Sequence, residues 1–324
     1  MDPMWRTLTR DDADALAELS AVAEAVDQID EHESAADIAE EFDSPAMDAQ
    51  DGTYGAFVDG RLVAAGTLYA RTTADPVHEM YFWGQVHPEF RRLGLGTTMV
   101  DWALGAGTRI TKRRFPGVRC ELRVHADDAL AGNNALFESR GFAIDGYEFS
   151  MELRLSGREP GKTEIPDGFT LLTYDDALSE EFRETHNIAF VPDHPGSTIQ
   201  TVDSWPHNVG TGTASFEREL SFGLRDAKTG TLASYLFSRC YEAMTEATGQ
   251  RDLYLNYIGT RRDYRGRGVA STLINAAVNG AAARGFDSAS LHVLADNPSG
   301  ALGVYERAGF TTRHKLNIYK RATI

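Results

Sequence analysis

At 324 residues, 42% of them hydrophobic and 30 of them glycine, the chain is apolar enough to fold and long enough for two domains with separate cores, which excludes a disordered protein. Its 32 basic and 48 acidic residues give a net charge of −16, which argues against a general affinity for nucleic-acid phosphates or anionic membrane surfaces. Two cysteines without a CxxC pair, no apolar leader after Met1 and no run of about 18 apolar residues speak against a disulfide framework, a secretion signal and a membrane span, leaving a soluble cytoplasmic protein as the expectation.

The first 50 residues hold 15 Asp or Glu against Arg6 and Arg10, a local charge of −13. Thr9-x-x-Asp12 and Ser34-x-x-Asp37 read as capping boxes and predict helices near 11–26 and 34–42. Tyr54–Val58 and Leu62–Tyr69 flank Asp59-Gly60, a hairpin signal. A third strand is expected over 77–86, then a helix over 94–110, a strand over 118–124, a short helix ending before Gly141 and a strand over 147–155. The segment 156–162, polar and rich in Gly and Pro, reads as a linker. The plan then repeats: a helix over 176–190, strands over 221–224, 232–241 and 253–260, a helix over 269–284, a strand over 289–294, a helix over 301–308 and a strand over 311–319.

Two motif pairs support that repetition. Val86 to Gly96 returns as Thr260 to Ala270, shifted by 174, and Phe137-Glu138-Ser139-Arg140-Gly141-Phe142 returns as Tyr305-Glu306-Arg307-Ala308-Gly309-Phe310, shifted by 168. The boundaries expected are 1–155, a linker at 156–166, and 167–324. The first repeated segment, Arg-x-x-Gly-x-Gly/Ala, lies where a strand ends and a helix begins. Amide groups without intrahelical partners and the positive end of the helix dipole meet there, an environment suited to a diphosphate.

At these residues the sequence resembles the GNAT N-acetyltransferases, in a tandem arrangement covering about 4–153 and 166–320. The resemblance implies an α/β (α+β) fold in two copies, each a mixed, mostly antiparallel sheet flanked by helices. It further implies acetyl-CoA or another short acyl-CoA as cofactor and a small-molecule amine as acceptor. The pyrophosphate would be held by Arg91 and the amides of Arg92, Leu93, Gly94, Leu95, Gly96 and Thr97 in the first copy. In the second, Arg265 and the amides of Gly266, Arg267, Gly268, Val269, Ala270 and Ser271 would hold it. The pantetheine arm would pair with Gly84, Gln85 and Val86, or with Ile258, Gly259 and Thr260.

Asn297 and Tyr305 resemble the family's late Asn and Tyr, which implies that Asn297 contacts the cofactor and Tyr305 protonates the departing thiolate. Phe137 stands in place of that Tyr in the first copy, and Asp127 or Asp128 in place of the Asn, so the second domain is expected to be catalytic and the first degenerate. No Glu lies on strand 252–258. Asp252 is a candidate base, with Tyr254 and Asn256 as water holders. His186, Phe190, Asp193 and Trp205, in the lead-in of the second copy, are candidate acceptor contacts, and no histidine spacing matches a metal site. The tandem layout and length are also similar to the mycothiol synthases, which acetylate a cysteinyl amine on a glucosaminyl-inositol. An acyl-CoA-binding module without chemistry is the alternative from another class.

Overall fold

The computed structural model describes residues 2–194, 197–296 and 300–323. They form two compact units, Met1–Glu148 with His314–Ile324, and Phe149–Arg313.

The first unit runs β1 (Met4–Arg6), α1 (Ala13–Asp27), α2 (Ala35–Phe42), β2 (Thr53–Val58), β3 (Arg61–Ala70), β4 (Val77–Val86), α3 (Leu95–Arg114), β5 (Arg119–Asp127), α4 (Ala131–Ser139) and the start of β6 (Ala143–Arg154). Ser34 caps α2 through its hydroxyl, which accepts from the Asp37 amide at 3.1 Å, while the Asp37 carboxylate reaches back to the Ser34 amide at 3.1 Å. The hairpin between β2 and β3 turns through Asp59 at φ 50° and Gly60 at φ 83°, as the Asp-Gly pair requires. In the first unit's sheet, order β1-β2-β3-β4-β5 is antiparallel except for the parallel β4/β5 pair. The strand beside β5 is the last of the chain, β12 (Thr311–Ala322), paired antiparallel from Leu316↔Asp127 to Ala322↔Glu121.

The second unit runs β7 (Phe169–Thr173), α5 (Ser179–Ala189), α6 (Trp205–Asn208), β8 (Phe222–Asp226), β9 (Leu232–Arg239), α7 (Glu242–Thr248), β10 (Asp252–Thr260), α8 (Val269–Ala283), β11 (Ser288–Leu294) and α9 (Ala301–Ala308). Its strands follow the order β6-β11-β10-β9-β8-β7, with β10/β9, β9/β8 and β8/β7 antiparallel and β10/β11 parallel. The mixed, mostly antiparallel sheet is therefore present in both copies.

The linear boundaries expected from the repeat need correction. His314–Ile324 completes the first unit, while Phe149–Arg154 belongs to the second. An alternating strand satisfies its pattern beside any partner of the right face, so hydrophobic spacing alone does not assign it to a sheet. Each unit buries its own core: Leu122, Met80, Ile110 and Tyr319 in the first, and Leu253, Leu273, Ile274 and Leu291 in the second. Among the described residues no helix is long and apolar enough to cross a membrane.

Candidate functional site

The two Arg-x-x-Gly loops have closely matched backbones. Gly268 is the N-cap of α8 at φ 75° and Gly94 the N-cap of α3 at φ 87°, both left-handed. Two residues earlier the left-handed position recurs, held by Gly266 at φ 72° but by Arg92 at φ 64°. The turn swings the chain so that first-turn amides of each helix open at the end of the preceding strand, the geometry that receives phosphate oxygens.

The leading arginines make matching bonds within the protein. Arg91 Nε donates to the Val86 carbonyl at 3.1 Å and its two Nη atoms grip the Asp27 carboxylate at 2.7 Å each. Arg265 Nε repeats the first bond on Thr260, also at 3.1 Å, and its Nη2 lies 3.5 Å from the Ala189 carbonyl. Both guanidiniums tie the loop to the end of its strand.

Beyond the loop the sheet parts. The parallel ladder of β10 and β11 runs from Asp252↔Ser288 to Tyr254↔Ser290, although β10 continues to Thr260 and β11 to Leu294. On its other edge β10 stays paired with β9 as far as Thr260↔Ser234. The edge carrying Ile258, Gly259 and Thr260 is thus turned toward the gap, where an amide-bearing chain can add as a strand. A Cβ on Gly259 would come within 2.4 Å of the Tyr235 ring, so only glycine fits there. The β4/β5 ladder likewise ends at Tyr81↔Arg123, short of Gly84, Gln85 and Val86.

One feature separates the copies. β10 carries an extra residue, Asn256, between Leu255 and Tyr257 in its register with β9, whereas the β3/β4 ladder is unbroken from Ala64↔Val86 to Ala70↔Met80. Spacing in sequence did not reveal this bulge.

Tyr305 sits on α9, nine-tenths buried against Phe310, and burial raises its hydroxyl above the ordinary tyrosine range, so it holds its proton at neutral pH. Its hydroxyl has no hydrogen-bond partner among the described residues. Tyr235 is wholly buried and its hydroxyl is raised by burial first; it bonds to His186, whose ring packs edge-on to Tyr257. Phe137, at the matching position, packs against Phe82, Phe142 and Tyr319 and offers no proton. Asp127 accepts from the Ala129 amide and pairs with His314, and Asp128 accepts from Asn317, so neither acts as the missing Asn does in a cleft. Asn297 and the Asp193 side chain lie outside the described residues.

Several acceptor-side expectations are corrected. Asp252 opens β10, at the end remote from the loop, and its two carboxylate oxygens accept from Ser288 Oγ at 2.6 Å and from Ser290 Oγ. It ties the parallel pair of strands together. His186 is 2% exposed, bonded through Nδ1 to the Tyr235 hydroxyl at 2.7 Å, and burial depresses its pKa to about 4. Trp205, also 2% exposed, donates Nε1 to Ser179 Oγ at 3.0 Å. Both are wall rather than contact surface. Phe190 is partly exposed, stacked on His186 and on His194 and edge-on to Tyr257.

In the first unit, Glu24, Asp30 and His32 bring ligand atoms within 4.8 Å of one another. The Glu24 carboxylate already accepts from the Ile29 and Asp30 amides and closes the end of α1.

The pattern of the acetyltransferase (GNAT) family matches residues 15–142 and 173–310. A mycothiol acetyltransferase of Clavibacter michiganensis subsp. michiganensis is 27% identical over 286 residues, 86% of this chain and 81% of the relative. One from Mycolicibacterium smegmatis is 28% identical over 234 residues, 69% and 70% of the two chains. Among solved structures, a GCN5-related N-acetyltransferase from Sphaerobacter thermophilus superposes with a TM-score of 0.73 at 23% identity, covering 99% of this chain and 96% of its own. A tandem GNAT protein from the clavulanic acid biosynthesis pathway does so at 0.69 and 18%, covering 100% and 99%.

Proposed function

This chain belongs to the acetyltransferase (GNAT) family and is an acyltransferase, and from that premise we propose that its second unit moves an acetyl group from acetyl-CoA to a primary amine by direct attack. The observation that carries the assignment is the pairing, in the second unit alone, of a bulged strand at the parted sheet with a buried, protonated tyrosine.

Acetyl-CoA, when bound, supplies the thioester. The amides of Gly266 to Ser271 receive its diphosphate, and the free edge at Ile258 to Thr260 aligns its amide-bearing arm. Tyr305 gives its proton to the sulfur as the carbon–sulfur bond breaks, and the attacking nitrogen forms the new amide bond. An alkyl ammonium, with a pKa near 10.4, must first lose a proton. With Asp252 tied to two serines, that proton leaves through water held at Tyr254 and Asn256. The first unit keeps the loop and the parted strands without the acid, and serves as an acyl-CoA-binding or purely structural copy.

The mycothiol acetyltransferases, matched over most of the chain, make the mycothiol-forming acetylation the second reading. Replacing Tyr305 by Phe tests the mechanism. CoA release should fall roughly 100-fold or more while acetyl-CoA affinity by calorimetric titration stays within about two-fold. Unchanged turnover would remove Tyr305 from the chemistry, and absent acetyl-CoA binding would end the enzyme reading.

A further inference from the structure

Arg239, the last residue of β9, lies opposite Tyr254, just before the bulge. By strand alternation it shares the sheet face of Tyr235 and Phe237, the face covered by Phe182 of α5 and by Trp205. Its Nη1 donates to the Tyr241 hydroxyl and its Nη2 to the Val209 carbonyl, both at 3.2 Å. The same Val209 oxygen accepts from Asn256 Nδ2 at 3.4 Å, so the cation and the bulged residue meet at one atom. Gly210 lies against the guanidinium so closely that a Cβ there would fall 1.6 Å from Nη2, which fixes where the charge sits.

Among the described residues this cation has no counter-charge. Its Nε is buried without a hydrogen-bond partner, and no carboxylate pairs with it among the described residues. Three of its five N–H groups meet no acceptor among the described residues, in a side chain that is partly exposed. A half-buried charge in such a state is costly unless something compensates it.

The first unit shows what the position looks like otherwise. Tyr69 pairs with Tyr81 as Arg239 pairs with Tyr254, and it bridges Met47 as Arg239 bridges Phe216. There the Tyr69 hydroxyl donates to Glu41, and burial together with Glu41 and Glu33 raises its pKa. The same place is lined by carboxylates in one copy and holds an unbalanced guanidinium in the other.

We propose that Arg239 sets acceptor specificity in the second unit by receiving a carboxylate on the amine substrate. The inference rests on the acetyl-transfer reading and deepens it. Arg239 Nη2 and Asn256 Nδ2 stand 3.2 and 3.4 Å from the same Val209 oxygen, so the cation and the bulged side chain are close neighbours. An amine at the bulge and an anion at Arg239 are then within the span of one short molecule, for which a dipeptide is long enough. Amino-carboxylates of dipeptide length are the substrate class.

The test compares CoA release from acetyl-CoA with a panel of dipeptides, each as the free acid and as its C-terminal amide. It uses the full chain, Arg239→Gln and Arg239→Lys, with folding checked by melting. The wild type should favour the acids by about 10-fold or more in kcat/KM, through acceptor KM. Arg239→Gln should bring the acids down to the amides, and Arg239→Lys should keep part of the preference. Equal use of acid and amide by the wild type, or a preference that survives Arg239→Gln, overturns the assignment and leaves acetyl transfer standing. Bound acetyl-CoA with no turnover on any pair overturns the amino-carboxylate assignment as well, and release of CoA with any other primary amine then keeps the acetyl-transfer reading.

Discussion

Phe137 and Tyr305 occupy matching helices, and a single oxygen atom separates a side chain with no proton to give from the acid proposed for the second unit. That difference is legible in sequence because the surrounding Glu, Gly and Phe hold the frame. The arginines of the loops are not: their spacing marks the motif, but the Asp27 that engages Arg91 lies 64 residues away, and only folding brings them together. His186 shows the same limit, since helical spacing does not say whether a ring lines a cleft or a core. Its depressed pKa gives it a signature. The unfolded chain binds a proton at His186 below about 6.5, whereas the folded chain resists until about 4, so its contribution to stability is lost as pH falls between those values. Unfolding free energies in urea at pH 7 and pH 4.5 should therefore fall by about 2–3 kcal/mol more in the wild type than in His186→Gln. Equal falls would show that the imidazole is not held neutral by burial.

Among the elements, β4 spans 77–86 and α9 spans 301–308 as the residue pattern predicts, α9 being bounded by the left-handed Gly300 and Gly309. The change in repeat offset from 174 to 168 also finds its place: α3 has 20 residues and α8 has 15, which absorbs five of those six positions. The bulge in β10 escaped the pattern because one added residue in a partly exposed strand disturbs no apolar spacing that a reader can count. Deleting Asn256 makes β10 a regular strand like β4. Acetyl-CoA affinity should stay within a few-fold by titration, while CoA release with an amine falls at least roughly 100-fold, since the attacking group depends on placement. Retained turnover would show that the bulge positions nothing.

At the level of the molecule, the repeat revealed two copies of one fold, yet not which strand completes which sheet. Tyr319, from the last strand, is 1% exposed in the core of the first unit, its hydroxyl 3.1 Å from both Asn134 Oδ1 and Glu138 Oε1. A chain ending after Arg313 loses that ring and the whole β5/β12 ladder. Hydrogen exchange should show β5 and α4 losing protection as the first unit opens. Protection in β5 equal to that of the full chain would mean that the first unit is complete without its final strand.

The placement of His314–Ile324 has a temporal side as well. During synthesis the residues up to Glu148 emerge long before their missing strand, with 165 residues (149 to 313) still to be translated. At about 5–20 residues per second, that interval lasts roughly 8–33 s. Throughout it the nascent first copy carries a β5 edge still without β12, a stretch open to pairing with neighbouring chains until the last strand arrives.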